Sequence, residues 1–262
     1  MLQSVWLQEL TWQDVKDYLV NDDMALIPIG STEQHGPAGP LGVDTYAAMA
    51  IAEDAAKRTG VITTPPIWFG DSPHHLDFPG TISLKPETVI AVIKDMVHSL
   101  RRNGFKKFIV INGHKGTNLA SLTIACRELL QYELPDIRIA LTDPLFLCTN
   151  APDVKEVPEH HAGELELSHV WYRHPGLIRE DRLPGEAVDL GRTFSRYVKE
   201  DLFGPGKPTV EVFWSSRDQK RFAPDGSFSA SNRASPEKGK RYHDNMVNNL
   251  SEFILWFRSL KG

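Results

Sequence analysis

Glu33 and His35 lie two residues apart in Gly30-Ser-Thr-Glu-Gln-His-Gly36, and Asp44 follows close behind. In extended chain, residues two apart point to the same side. A carboxylate and an imidazole presented together, with an aspartate nearby, make half of a divalent-metal site. The loop sits directly behind Met24-Ala-Leu-Ile-Pro-Ile29, an apolar run that reads as a buried strand. In an open α/β sheet, the loop at the carboxyl end of a strand is where ligands bind.

Two further stretches offer the other half. Asn112-Gly-His114-Lys-Gly-Thr-Asn118 follows the apolar run Phe108-Ile-Val-Ile111 and leads into a helical pattern. His160-His161-Ala-Gly-Glu164-Leu-Glu166-Leu-Ser168 is the second. With a helix beginning near Gly163, Glu164 and Ser168 share a face and Glu166 points roughly opposite, so the two glutamates are expected to do different jobs. Glu33, His35, Asp44, His114 and Glu164 together supply three carboxylates and two imidazoles. That set suits Zn²⁺, Mn²⁺ or Fe²⁺ and disfavours Ca²⁺ or Mg²⁺, which prefer oxygen alone. Five ligands exceed the three that a mononuclear catalytic zinc takes from protein; with one carboxylate bridging, they suit two metals. A metal pair lowers the pKa of bound water and polarises a carbonyl, which is hydrolytic chemistry at neutral pH. Each element also has a purely structural alternative. Asp44 or His114 could cap the helix that follows it, and the 161–166 group could be a charged helix start.

The elements that must position these residues alternate along the chain. Thr11 caps a short helix over 12–19, with Asp14 placed for a capping box. A strand over 24–30 is followed by a helix over 45–58 ending at Gly60, and by a strand at Val61-Ile-Thr-Thr64. Val89, Ile90, Val92, Ile93, Met96, Val97 and Leu100 keep helical spacing between Pro86 and Gly104. A strand at 108–111, a helix over 118–132 and a strand at 137–141 complete the alternation. Such an order predicts a mostly parallel sheet covered on both faces. Residues 143–160 and 175–232 read as loops, with a small antiparallel piece around Val210–Trp214. Ser235-Pro236-Glu237 opens a last helix whose buried stripe is Tyr242, Met246, Leu250, Phe253 and Phe257.

Composition sets the outer bounds. The 262 residues suit one domain spanning 1–262, with 41% hydrophobic and 24% charged residues. A net charge of −5 gives no electrostatic case for nucleic acid or an anionic membrane. Cys126 and Cys148 are the only cysteines, so neither a disulfide framework nor a thiolate site is indicated. With no signal-peptide pattern at Met-Leu-Gln-Ser-Val-Trp and no apolar run of transmembrane length, the cytoplasm is the expected location.

Five ordered motifs carry a resemblance. They are Pro-Ile-Gly-Ser-Thr-Glu-Gln-His-Gly-Pro with Leu-Gly-Val-Asp-Thr, Phe78-Pro-Gly-Thr-Ile-Ser-Leu84, Asn112-Gly-His114, His161-Ala-Gly-Glu-Leu-Glu-Leu-Ser168 and Ser235-Pro-Glu-Lys-Gly239. Over about residues 20–250 the chain resembles the creatininase (creatinine amidohydrolase) family. The resemblance implies a three-layer α/β/α fold with a mostly parallel central sheet. It also implies a site for two divalent metal ions, zinc first and manganese or iron as alternatives, hydrolysis of non-peptide C–N bonds, and a homohexamer. Carried over by motif, Glu33 and His114 hold one metal, His35 the other, and Asp44 bridges. Gly116 stands where creatininase has a second-metal glutamate, and Glu164 is expected to replace it. The resemblance further implies that creatinine is not the substrate, because 143–160 lacks the tryptophans that close over it and has only Phe146 as an aromatic.

The expected activity is therefore amidohydrolysis of a cyclic amide or formamide in a small metabolite. The alternative is metal-dependent hydrolysis or lysis of a keto-sugar or keto-inositol. His161 is expected to pass a proton to the leaving nitrogen. Glu166 is expected to assist catalysis from behind the ligands or from the pocket wall, and His75 either lines the pocket or lies in a surface loop.

Overall fold

In the computed structural model, residues 3–186, 188, 202–204 and 212–260 are described. Four parallel strands form one sheet in the order β2-β1-β3-β4: β1 (Met24–Ile29), β2 (Ile62–Thr63), β3 (Lys107–Asn112) and β4 (Arg138–Thr142). All six residues of β1 are buried, as expected for a strand covered on both faces. Alternation along β1 divides the core. Met24 and Leu26 pack with Ile51 and Ala55 of α2 (Val43–Thr59), and with Met246 and Leu250 of the C-terminal helix Pro236–Ser259. Ala25, Ile27 and Ile29 pack on the other face. There they meet Val89, Ile93 and Val97 of α3 (Pro86–Arg102), and Leu122 and Ala125 of α4 (Asn118–Glu128). The result is the three-layer α/β/α arrangement.

Local signals explain most boundaries. Thr11 and Asp14 form the capping box that starts α1 (Trp12–Tyr18). Gly60, at φ 74°, closes α2, and Pro86 opens α3. Apart from ends shifted by a residue or two, short helices over 144–147, 151–154 and 216–222 replace expected loops, and two further features differ. The α2 helix begins at Val43 behind Gly42, so Asp44 lies inside the first turn and is not its cap. The helix after β3 changes to a π turn over Leu129–Glu133. Beyond β4 come α5 (Pro144–Leu147), α6 (Ala151–Val154), α7 (Glu164–Arg173), α8 (Ser216–Phe222) and the C-terminal helix, α9. Of the expected antiparallel piece, Val210 and Glu211 lie outside the described residues, while 212–214 are irregular.

The order in which strands are added to the sheet changes side between β1 and β3. From β1 the chain crosses to β2 on one side, then returns past β1 to β3. The carboxyl ends of β1 and β3 therefore flank a switch point, where open α/β sheets bind ligands.

Candidate metal centre

The loops leaving β1 and β3 meet at that switch point, and the first turn of α2 closes the gap between them. Gly113 allows this approach: a Cβ there would fall 1.9 Å from the Asp44 carbonyl oxygen. Asn112 and Asn118 lock the second loop. Asn112 Oδ1 accepts from His114 N at 3.1 Å, while Asn118 donates to Gly30 O at 3.0 Å and accepts from Asp71 N at 2.8 Å.

Glu33, His35, Asp44 and His114 converge there, each no more than 4% exposed. His114 Nδ1 stands 3.4 Å from Glu33 Oε2 and 3.2 Å from Asp44 Oδ2. His35 Nε2 is 3.3 Å from Asp44 Oδ1 and 4.0 Å from Glu166 Oε2. Asp44 thus turns one oxygen to each of two groups, Glu33–Asp44–His114 and His35–Asp44–Glu166. The far ring nitrogens fix the tautomers. His35 Nδ1 lies 3.2 Å from Glu33 O, and His114 Nε2 lies 3.1 Å from Asp71 O. A carbonyl can only accept, so those nitrogens carry the protons and the neutral rings aim bare nitrogens at the carboxylates.

This arrangement fits metal ions. Glu33 Oε1 and Oε2, His35 Nε2 and Asp44 Oδ2 are buried without a hydrogen-bond partner. Buried polar atoms are normally partnered, so a cluster of exceptions needs a reason. Separations of 3.2–3.4 Å between donor atoms match the edge of a tetrahedron with metal bonds of about 2.0–2.1 Å, which is roughly 3.3 Å. Without metal, protons fill the gaps. Burial alone would depress the His35 pKa, but the Asp44 carboxylate lifts it to about 9. His114 is likewise raised, against burial, by Glu33 and Asp44. Burial would raise Glu33, yet the charges of His114 and His75 hold it well below the usual carboxylate range.

Glu164 is the correction. Its carboxylate is fully buried but faces away from the cluster, accepting from Glu156 N at 2.8 Å and Val157 N at 3.2 Å and pairing with Lys238. Glu166 stands at the cluster instead. Helix α7 does place the two glutamates on different faces, as expected, but with the faces exchanged. Two local features set this register. Glu159 accepts from Leu165 N and Glu166 N at the start of α7, and Ala162 adopts φ 57°, which directs its N–H to Glu166 Oε2 at 2.9 Å.

His161 lies beside the cluster, with Nδ1 3.7 Å from Glu33 Oε1. Its Nε2 is 2.8 Å from Gln34 O and 2.9 Å from Gln34 Nε2; paired with the carbonyl, this nitrogen carries the proton and leaves Nδ1 bare. Burial, with His35 nearby, lowers its pKa to about 4. His75 is 1% exposed and 3.3 Å from Glu33 Oε1; its Nδ1 is 2.8 Å from the side-chain amides of both Gln34 and Gln219. A cavity of about 170 Å³ opens over these residues, with Leu145, Trp214 and Phe228 among its walls. Trp214 had no signal in the sequence, since only the fold brings it here; Lys115 was in view only as the neighbour of His114. Phe146 is 64% exposed, so the aromatic wall comes from 214–228 and not from 143–160.

An α/β/α fold with a buried histidine–carboxylate cluster at its switch point is the setting of a metal-dependent hydrolase. The family model for creatinine amidohydrolase matches residues 8–254, and the chain belongs to the creatininase family. A 3-dehydro-scyllo-inosose hydrolase from Thermotoga maritima is 34% identical over 172 residues, 63% of this chain and 55% of that protein. The match therefore spans little more than half of that relative. Creatinine amidohydrolase from Pseudomonas putida is 26% identical over 271 residues, 97% of each chain. A crystal structure of creatininase superposes with a TM-score of 0.80 at 22% identity, covering 99% of this chain and 100% of that one.

Proposed function

We propose that this chain is a two-metal amidohydrolase that opens a non-peptide C–N bond, a cyclic amide or formamide, in a small metabolite other than creatinine. The observation carrying this reading is the set of buried, unpartnered donor atoms of Glu33, His35 and Asp44, spaced for metal ions. In this reading Glu33 and His114 hold one metal, His35 and Glu166 the other, and Asp44 spans both. Bound there, divalent ions such as Zn²⁺, Mn²⁺ or Fe²⁺ supply an activated water at neutral pH and a Lewis-acid contact for a carbonyl oxygen. His161 Nδ1, bare and beside Glu33, takes a proton and returns it to the leaving nitrogen. Leu145, Trp214 and Phe228 exclude water and hold the body of the substrate.

The likeness to an inosose hydrolase supports a second reading, a keto-inositol or keto-sugar whose carbonyl binds at the same place. The family resemblance supports a hexamer. Among the described residues, no helix is long and apolar enough to cross a membrane, which accords with a cytoplasmic role. One domain spanning 1–262 completes the reading.

The test is hydrolysis of cyclic amides, formamides and keto-inositols, before and after chelation and Zn²⁺ or Mn²⁺ return. Chelation and Asp44→Asn are each expected to remove at least about 10³-fold of the activity. Undiminished turnover after verified metal removal would sink the mechanism. Amine or formate release supports the first reading, and carbon-chain cleavage supports the second.

A further inference from the structure

The two metal positions are not equivalent. Around Glu33, Asp44 and His114 the measured donor separations are 3.2 and 3.4 Å. Around His35, Asp44 and Glu166 one is 3.3 Å, but the edge from His35 to Glu166 is stretched to 4.0 Å. The cause lies on the other side of Glu166. Lys115 Nζ stands 2.9 Å from Glu166 Oε1, on a side chain only 8% exposed. The Nζ atom is buried, and this ion pair holds it against Glu166. Ala162 N–H holds Glu166 Oε2. The glutamate is thus partly spoken for before any metal arrives.

Resting on the two-metal reading above, we propose that Lys115 is a positioning residue that makes the His35–Asp44–Glu166 position the weaker of the two metal sites. The argument is electrostatic. A divalent cation at that position needs the charge of Glu166, and it must take up that charge within a few ångströms of an ammonium that already uses it. Buried like charges at such range repel far more than they do in water. Among the described residues, the other position has no lysine among its partners; its carboxylate, Glu33, is flanked by His75, His114 and His161. Lys115 also follows His114 directly, in the same loop where Gly116 offers no carboxylate. One loop therefore supplies a ligand to the stronger position and a competing cation to the weaker.

The consequence is stepwise loading. At limiting supply the chain holds one metal, and the second enters only at higher free concentration. Activity that needs both metals then follows metal availability.

The test is a Zn²⁺ titration of metal-free protein, read by calorimetry and by protein-bound zinc after gel filtration, without reference to turnover. Wild type is expected to show two steps separated by at least about tenfold in Kd. Lys115→Met should tighten the second step by about ten- to a hundredfold, the usual range for a residue behind a ligand, and leave the first unchanged. Lys115→Arg, which keeps the charge, should keep the separation. Two wild-type steps of equal affinity, or a second step unmoved in Lys115→Met, overturns the proposal while leaving the metal pair in place. If Lys115→Met does not fold, the wild-type separation and Lys115→Gln decide in its stead. Failure of the underlying reading looks different: no zinc bound, or one zinc in wild type and every Lys115 variant.

Discussion

Among the described residues, two histidine–carboxylate clusters stand in opposite states, one buried throughout and one with buried histidines and part-exposed carboxylates. At the carboxyl ends of β1 and β3, the donor atoms of Glu33, His35 and Asp44 face one another without hydrogen-bond partners. Where α2, α7 and α9 meet, His169 Nε2 bonds His243 Nδ1 at 2.9 Å, His243 Nε2 bonds Asp54 Oδ2 at 3.0 Å, and Arg173 pairs with Asp54 and Glu53. No atom of this second cluster is both buried and unpartnered. Composition alone does not separate a site from a scaffold; satisfaction does. The first cluster is incomplete without something bound, and the second is complete as it stands.

After loss of Asp44 or of metal, the pair of glutamates on α7 gives the next largest expected effect. Glu166→Gln should lower activity about 10- to 100-fold and reduce metal held at the second position, measured by elemental analysis and kinetics. Glu164→Gln should retain metal and activity and lose about 2 kcal/mol of stability, because Lys238 and two backbone N–H groups lose a charged partner. Full metal loss in Glu164→Gln, with Glu166→Gln silent, would reverse the two assignments.

That pair also shows how far the sequence could be read. The alternation of helices and strands was legible because β1 is apolar throughout and the helices carry plain caps, such as Thr11 with Asp14. Glu33, His35, Asp44 and His114 were legible because each lies at or just beyond the end of a strand or in the first turn of α2. The choice between Glu164 and Glu166 was not. Helical period separates their faces, but which face meets the cluster depends on Ala162 at φ 57° and on Lys238, far along the chain. Trp214 and Gln219 reach the site only through tertiary packing, which no local pattern encodes.

The two clusters should also respond to pH with opposite signs in metal-free protein. His35 is raised to about 9, so the folded state binds its proton more tightly than the unfolded chain does. Its contribution to stability is full below about pH 6.5 and is lost as pH rises through about 9. His169 and His243 are lowered by burial. Their contribution is present above about pH 6.5 and is lost as pH falls. The His35 contribution is roughly 3 kcal/mol at most. Denaturant unfolding across pH 5–10 should show His35→Asn flattening the alkaline limb and His169→Gln flattening the acid limb. Both variants flattening the same limb would remove the distinction between the clusters.

Arg173→Lys probes the satisfied cluster most gently. Arg173 reaches Asp54 with one guanidinium nitrogen and Glu53 with the other, and its side chain is 20% exposed. Lysine keeps the charge but cannot span both carboxylates with a planar fork. Part-exposed ion pairs contribute little, and His243 still bonds Asp54 after the change. The expected loss is therefore below about 1 kcal/mol, read as a small shift of the denaturation midpoint. Metal content and activity should not change, since no residue of this cluster belongs to any of the three groups of candidate metal ligands. A loss of bound metal in Arg173→Lys would mean that the two clusters are coupled through α2 and α7, which carry Asp44 and Glu166. The contrast between a complete scaffold and an incomplete site would then have to give way to a single shared network.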